Sequence, residues 1–538
     1  MNEIFFGVWF FFRVFFIFLL FVFILFGLDD LWIDIVYYVR SIYRWLFRRK
    51  KVKPVTLEQL KSVPEKPIAI MVPAWDESAV ISRMLRHTLK SLIYRNFNIF
   101  VGTYPNDEAT RREVQRVREE DPRVQLVTTP APGPTNKADC LNWVLQGIRV
   151  FEKDRGMKFE IFLMHDAEDV IHPLSLLYYN YLMPRIDFVQ IPVFPFPTRW
   201  TDFTTGVYMD EFAENHTKLM RVRELVAGAL PSAGVGTALS RRCLDHIAAE
   251  RENQVFDISS VTEDYLMGLR LKDFPGKKIF LQQEAEIDPT LKSKAPIATR
   301  EFFPSSFRAS VRQKSRWVMG ISLQGCDSGC KGSLGSNYFL FRDRKAALIN
   351  LVVALGYILI VFWLAGIAVN SLTSLYLPPL IERGEIYAWL IYVVLFIFLW
   401  RIVNRIYASW KIYGPLHGFL AVPRLFWGNI INFCATWLAI KRYIHARRTG
   451  TVPEWGKTAH AFPTEEQMRH YHRRLGDILL DMRMIKSDQL QAALEEQKKT
   501  GGRLGDILVE SGELNSGDLC RALKEQRGED PAEGESCP

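Results

Sequence analysis

Cysteine is scarce in this chain of 538 residues, with seven in all: Cys140, Cys243, Cys326, Cys330, Cys434, Cys520 and Cys537. The count is odd, which in a reducing compartment argues against a disulfide framework, so free thiols are expected. Cys326 and Cys330 alone make a poor zinc site. A phosphate-cradling Walker A loop is also missing. The stretch "GCDSGCKGS" lacks the second glycine and the lysine at the required offsets, so P-loop ATPase chemistry is excluded. The first apolar run has no basic residues ahead of it and no small-x-small cleavage site behind it, and so reads as an anchor rather than a signal peptide.

Basic charge and long apolar runs are abundant. The net charge is +9, and its placement decides its meaning. Arg40, Arg44, Arg48, Arg49, Lys50, Lys51 and Lys53 crowd behind the first apolar run. That is a positive-inside signature and not a nucleic-acid stripe, so inner-membrane lipid is the expected partner and no nucleic acid polymer is. Three runs are long enough to span a bilayer: Ile4 to Leu28, with only Arg13 inside it, Ala346 to Val369, and Ile386 to about Val403. A fourth, Leu425 to Ile440, is short and carries Asn429 and Asn432. Cations flank it on both sides, so it reads as interfacial or re-entrant, with the loop Asn370–Glu385 outside.

These signals divide the chain. Residues 1–28 form a transmembrane helix and 29–65 an interfacial amphipathic helix with a linker. Residues 66–335 form one globular block, and 336–450 two transmembrane helices with interfacial helices. Residues 451–470 are a linker, 471–527 a small helical module and 528–538 a disordered tail. In the block, the runs "IAIMV", "NIFVGTY", "VQLVTT", "FEIFLMH" and "DFVQIPVF" alternate with helical patterns. The fold class is therefore α/β with a largely parallel sheet.

Ligands of such sheets collect beyond the carboxyl ends of the strands. Acidic clusters sit there: "VPAWDES", "GTYPNDEAT", "FEIFLMHDAEDV" and "SSVTEDYLMG". Asp166 and Glu168 are two apart, so in an extended stretch they face one side. Two hard oxygen donors there suit Mg²⁺ or Mn²⁺, with a diphosphate completing the shell.

The ordered set of motifs resembles a family 2 glycosyltransferase of GT-A fold, of the membrane-bound polysaccharide-synthase type, over about 250 residues. "VPAWDE" resembles its first nucleotide-site motif, with Pro73 and Glu77, and "NKADCLN" the lysine loop beside uridine diphosphate, with Lys137. "HDAED" stands for the D-x-D metal motif, with Asp166 and Glu168 as ligands and Asp169 as the alternative to Glu168. "VQIP" resembles an acceptor-lining stretch, and "TED" the catalytic-base motif, with Glu263 and Asp264. "QKSRW" resembles Q-x-x-R-W, with Gln313, Arg316 and Trp317. The family's paired aspartate after strand two is here Asn106–Asp107, which puts the uracil or ribose contact on Asp107. "SAGVGTALSRR" replaces the cysteine-containing acceptor motif of cellulose synthases, which argues against cellulose or chitin as the product.

The tail carries a sentence written twice. Arg474-Leu475-Gly476 aligns with Arg503-Leu504-Gly505, and Leu490, Leu494 and Gln497 align with Leu519, Leu523 and Gln526. Ser487 and Ser516 fall where helix N-caps belong. A bare helical scaffold accounts for the leucines, but not for Arg and Gln recurring at the same offsets. The pattern resembles the MshEN domain, which implies that these residues bind cyclic-di-GMP. The five-residue spacer "KKTGG" fits that domain, while Arg483 stands where motif two has Gly512. No PilZ-type pair is found: "RIVNR" lies in a membrane segment.

Transferase plus this tail resembles the bacteriophage adsorption protein B (NfrB) family. The resemblance implies a bacterial inner-membrane, multi-pass, inverting transferase that uses a UDP-sugar and builds exopolysaccharide with an outer-membrane or periplasmic exporter. Its catalytic and C-terminal domains would be cytoplasmic, and cyclic-di-GMP would activate it. Two alternatives stay open, a lipid-linked single-sugar transferase and a non-catalytic membrane receptor or scaffold with a decayed transferase domain.

Overall fold

The computed structural model describes residues 3–48, 55–183, 185–251, 253–271, 274–288, 293–325, 332–372, 378–382, 384–450, 461–468, 471 and 475–527. The apolar runs become β1 (Ile68–Pro73), β2 (Phe97–Thr103), β3 (Val124–Thr128), β4 (Ile161–Met164) and β5 (Phe188–Gln190). The last run, read as one strand, is divided in two. Pro192 has no N–H to continue a ladder, and the chain resumes as β6 (Val193–Pro195) in a different sheet. Then follow β7 (Thr237–Ser240), β8 (Lys278–Phe280), the hairpin of β9 (Glu284–Asp288) and β10 (Ser293–Pro296), and β11 (Thr299–Glu301), which pairs with β6 in parallel.

The main sheet has the order β3-β2-β1-β4-β7-β5-β8. It is parallel except at β7, which runs antiparallel to both β4 and β5. Its residues are buried on both faces: Ile68, Ile70 and Val72 enter one core, and Ala69 and Met71 the other. That explains the unbroken apolar runs in the sequence. From β1 the chain proceeds outward to β2 and β3, then returns to place β4 on the other side of β1. The carboxyl ends of β1 and β4 therefore flank a crevice at the point where the order reverses.

Among the described residues, three helices are long and apolar enough to cross a membrane: Glu3–Tyr43, Leu334–Leu372 and Ala388–Tyr413. The first corrects an expectation, for it does not end near Leu28 but continues through the segment read as a separate interfacial helix. The acidic residues just beyond the apolar run are bound from other helices. Asp29 takes Arg342 and Lys345, Asp30 takes Arg342 and Arg401, and Asp34 takes Lys218 and the Trp400 indole. Residues 425–440 lie inside a further long helix, Pro415–Thr449, which packs against Phe203–Glu214, Phe307–Trp317 and Ala388–Tyr413.

Cys140, Cys243 and Cys434 are free. Cys520 is disulfide-bonded, against expectation, because an odd count forbids complete pairing but not a single pair. Cys326, Cys330 and Cys537 lie outside the described residues.

The repeat folds as two helix pairs, Leu475–Asp481 with Ser487–Thr500 and Leu504–Glu510 with Ser516–Arg527. Ile478, Leu479, Ile485, Ala493, Leu508, Leu514 and Ala522 form its core. The serines are not the caps. Asn515 accepts from the Asp518 amide, and in the first repeat the Gln489 side chain accepts from the Lys486 amide. The chain leaves the first helix of each pair through a left-handed residue, Gly512 at φ 74° and Arg483 at φ 54°. A side chain in that region costs about 1–2 kcal/mol, and the added freedom of an unfolded glycine offsets about half. Arg483→Gly should therefore stabilise the first pair by about 0.5–1 kcal/mol. The amides of residues 475–500 should exchange with solvent roughly two- to fivefold more slowly, and faster exchange would show that the arginine side chain more than offsets its strain.

Candidate active site

A cavity of about 410 Å³ opens in the crevice beyond β1 and β4. Pro73, Glu77, Lys137, Asp166, Glu168, Glu263, Asp264, Gln313, Arg316 and Trp317 all line it. Residues almost 250 positions apart in sequence thus meet around one space. Local folding places each of them. Asn136 caps the helix Lys137–Arg155, accepting from the Asp139 amide at 2.8 Å, so Lys137 stands on its first turn facing the crevice. Glu263 and Asp264 open the helix Glu263–Arg270, whose N-terminal dipole favours negative charge. Gln313, Arg316 and Trp317 come from the end of Phe307–Trp317, beyond which the helix loosens into a π-type turn, Val318–Leu323.

At the centre, Lys137 Nζ lies 2.5 Å from Asp166 Oδ1. Gly234, at φ 79°, packs against Lys137 and Asp264: a Cβ there would lie 2.4 Å from Asp264 Oδ2 and 3.4 Å from Lys137 Nζ. Burial opposes charge on Lys137, but Asp166, Glu263 and Asp264 outweigh it and hold the ammonium firmly protonated. For Glu263 and Asp264 burial wins. It pushes Asp264 upward against the pull of Lys137, and it pushes Glu263 up to about 7, helped by the Asp264 charge.

Asp166 and Glu168 are hard oxygen donors on the cavity wall, and the Lys137 ammonium already answers the Asp166 charge. Among the described residues no group of three or more His, Cys, Asp or Glu is gathered to hold a metal. A divalent cation here would therefore draw further oxygens from a bound diphosphate, and the donor set fits that arrangement. The local geometry differs from the extended stretch expected: residues 166–169 form a turn closed by the Asp169 amide on the Asp166 carbonyl.

Two expected site residues do not line the cavity. Asp169 is fully buried behind it, and its Oδ2 takes His165 Nδ1 at 2.7 Å and the Asp166 amide at 2.9 Å. It shapes the turn from behind rather than presenting an oxygen to the cavity. Asp107 caps the helix Glu108–Glu120 and accepts the amide of Asp76, a residue held at φ 55°. Its neighbour Asn106 makes two hydrogen bonds with the backbone of Gly133. "VQIP" also supports rather than lines. The buried Gln190 holds the loop before β7 through the Ala233 amide, the Thr237 hydroxyl and the Val235 carbonyl.

Other lining residues were not singled out in the sequence: Trp75, Glu211, Glu301 and Asp343. Trp75 lay within "VPAWDE" and stands edge-on to Tyr104. Glu301 belongs to β11, a strand too short for a periodic signal. Burial, and then the charges of Asp169, Glu168 and Asp166, hold its carboxyl well above the usual range. Trp317 sits in an aromatic box with Tyr208, Phe212 and Phe303.

In the tail, Arg503 is exposed at the start of its helix, whereas Arg474 lies outside the described residues. Gly476 and Gly505 serve helix contact: a Cβ on either would press to 2.8 Å or less on Leu490 or Leu519 respectively. Leu475 and Leu504 pack against the module's core, while Leu494 and Leu523 are half-buried outside it. Gln497 is buried and donates to the Gly502 carbonyl. Gln526 is half-buried.

Residues 64–320 match the family described as glycosyltransferase like family 2. The chain is 42% identical over 488 residues to bacteriophage adsorption protein B of Escherichia coli strain K12, covering 88% of this chain and 65% of that protein. The figures are the same for bacteriophage N4 adsorption protein B of Escherichia coli O157:H7. The chain thus spans about 65% of the length of these relatives. Among solved structures it is similar to a mannosyltransferase from Pyrobaculum calidifontis in complex with GDP-Man and Mn²⁺, with 15% sequence identity, 76% of this chain and 99% of that one covered, and a TM-score of 0.45.

Because the folded state disfavours charge on Asp264, that carboxyl weakens the fold wherever the pH ionises it. Asp264→Asn keeps the shape and removes the charge. Above neutral pH the variant should melt at the same temperature as the parent or higher, by calorimetry in detergent. A marked fall would mean that the carboxylate is required by the fold itself.

Proposed function

Proceeding from the family 2 glycosyltransferase domain over residues 64–320, we propose that this chain is an inverting, UDP-sugar-dependent glycosyltransferase of the bacterial inner membrane. It adds hexosyl or N-acetylhexosaminyl units to a growing exopolysaccharide. The observation that carries this reading is the meeting of Lys137, Asp166, Asp264 and Arg316 on one cavity. The leaving diphosphate gains negative charge as the sugar departs. Lys137 and Arg316 face that charge, and Arg316 has the planar fork for two phosphate oxygens. Asp166 and Glu168 would hold Mg²⁺ or Mn²⁺, which supplies further neutralisation. Asp264 accepts the proton of the acceptor hydroxyl as that oxygen attacks the anomeric carbon from the face opposite the leaving group. The bond from carbon to phosphate oxygen breaks with its electron pair on UDP, so an α-linked donor yields a β-linked product. Trp317 gives the acceptor sugar an apolar face.

A base must be ionised to act. Burial raises the Asp264 carboxyl, so the acid limb of the kcat/KM profile should lie above the value of about 4 for an ordinary carboxylate. Asp264→Asn should lower transfer by roughly 100-fold or more. Asp166→Ala should abolish metal-dependent UDP binding. The decisive assay feeds membranes a panel of UDP-sugars and identifies the product by mass spectrometry. Full rate after EDTA treatment would sink the metal's role, and a single added sugar on lipid would replace the polymer reading.

The duplicated tail is the regulatory input in this proposal. Cyclic-di-GMP is two-fold, and two copies of one motif suit its two guanines and two phosphates. Exposed Arg503 offers a planar guanidinium, and Leu494 and Leu523 leave apolar surface outside the module's core. Gln497 supports the fold rather than the ligand. Arg503→Ala should weaken cyclic-di-GMP binding by calorimetry on the full chain and leave turnover without the nucleotide unchanged. An absence of binding at high micromolar nucleotide would make the tail a docking module for another protein.

A further inference from the structure

The segment leading into the repeated module was read as a linker, yet its described part is anchored in the transferase domain. Phe462, Met468 and Tyr471 are buried in the same apolar core as β1 and β4. Phe462 stands edge-on to His87, and Tyr471 stands edge-on to His172 and to Phe196. The Tyr471 hydroxyl accepts from Arg300 Nε at 2.6 Å, and Arg300 also donates to the Pro195 carbonyl at 3.1 Å. Arg300 is itself buried, with its guanidinium over the Phe194 and Tyr413 rings.

Arg300 touches two parts of the cavity lining. Its backbone forms a two-way bridge with Val170, amide to carbonyl at 2.8 and 3.1 Å. Val170 directly follows the turn that carries Asp166 and Glu168. The next residue after Arg300 is Glu301, which lines the cavity. One tyrosine hydroxyl from outside the transferase block therefore completes the hydrogen bonding of a buried guanidinium on which the donor turn and the Glu301 wall both depend. Losing a partner at a buried charged group is expensive, and the framework around it must shift to recover one.

We propose that Tyr471 is a positioning residue of the active site. Acting through Arg300, it fixes the turn at residues 166–169 and the wall at Glu301. It is also the point where the chain from the repeated module enters that framework: three residues separate Tyr471 from the module's first helix, which Lys61 holds through Asp477 at 2.8 Å. The consequences for transfer rest on the glycosyltransferase reading, whereas the positioning itself does not.

The test is Tyr471→Phe, which removes one oxygen and keeps the ring packing, with Arg300→Lys as a second variant in the full chain. In both, amide exchange at residues 166–170 and 299–301 should quicken on the order of tenfold, while β1, β2 and the module keep their protection. In the transfer assay the donor KM and the Mn²⁺ concentration for half-maximal rate should rise, at an unchanged melting temperature. Unchanged exchange at 166–170 in both variants overturns the proposal, as does a uniform loss of protection across the domain. Local quickening without any transferase activity in the parent would leave the positioning intact and remove the catalytic reading instead.

Discussion

Buried charge has to be paired, and that constraint holds the catalytic block against the long helices. The helix Phe203–Glu214 carries Asp210, Glu211 and Glu214, and all three find partners on other helices. Asp210 takes Arg424 at 2.9 Å and the Ser409 hydroxyl, Glu211 takes Lys314 at 2.5 Å and Asn432, and Glu214 takes Arg405 at 3.2 Å. Arg424 and Asp210 are almost wholly buried, and burial lifts the Asp210 carboxyl to about 6 despite its partner. Such pairs add little net stability over an apolar replacement, but removing one side costs about 3–5 kcal/mol. They therefore specify register more than strength. Gly206 belongs to the same device, since a Cβ there would lie 2.5 Å from the Arg424 side chain.

Much of the catalytic block was legible because its signals are local and dense. Strands buried on both faces write continuous apolar runs, and four of the five runs appear as single strands. Most of the expected site residues that line the cavity lie at strand ends or helix ends, where backbone direction aims the side chain into the crevice. Asp107 and Asp169 illustrate the limit. Sequence supplies a carboxylate beside a strand end, but whether it faces a ligand or a backbone amide depends on contacts from elsewhere. Asp107 is taken by the amide of Asp76, thirty-one residues earlier in the chain, and Asp169 by His165. Glu301 and Glu211 fail for the converse reason, each being a lone carboxylate in an unremarkable local pattern that only tertiary packing brings to the cavity.

The first helix continues past the end of its apolar run, where Asp29, Asp30 and Asp34 follow. A carboxylate at the end of an apolar run suggests water, and here it marks a cation on a neighbouring helix. The segment before the repeat misled through composition. Proline and glycine suggested a linker over residues 451–470, while Phe462, with Tyr471 just beyond, was the informative residue, because an aromatic side chain buries too much apolar area to be left in a free tether. In the repeat the glycines have a packing role that the motif alone does not reveal. Gly476 and Gly505 let a helix approach a leucine, and the backbone position that needs glycine most, at residue 483, is the one that lacks it.

The cavity consequently has two walls held by different means. One is the sheet edge, with Lys137, Asp166 and Asp264 carried on elements packed into a continuous apolar core, whose interior resists small displacement. The other comprises Glu211, Gln313, Arg316 and Trp317, on two helices pinned to the long helices through Lys314, Asn432 and Arg405. A shift of those long helices would carry the second wall with them, because breaking an ion pair costs more than moving as a unit. The distance between Lys137 on the first wall and Trp317 on the second is thus tied to the arrangement of the helices long enough to cross a membrane. Tyr471 acts on the first wall and the ionic layer on the second, so the segment before the repeated module and the long helices reach one cavity through separate contacts.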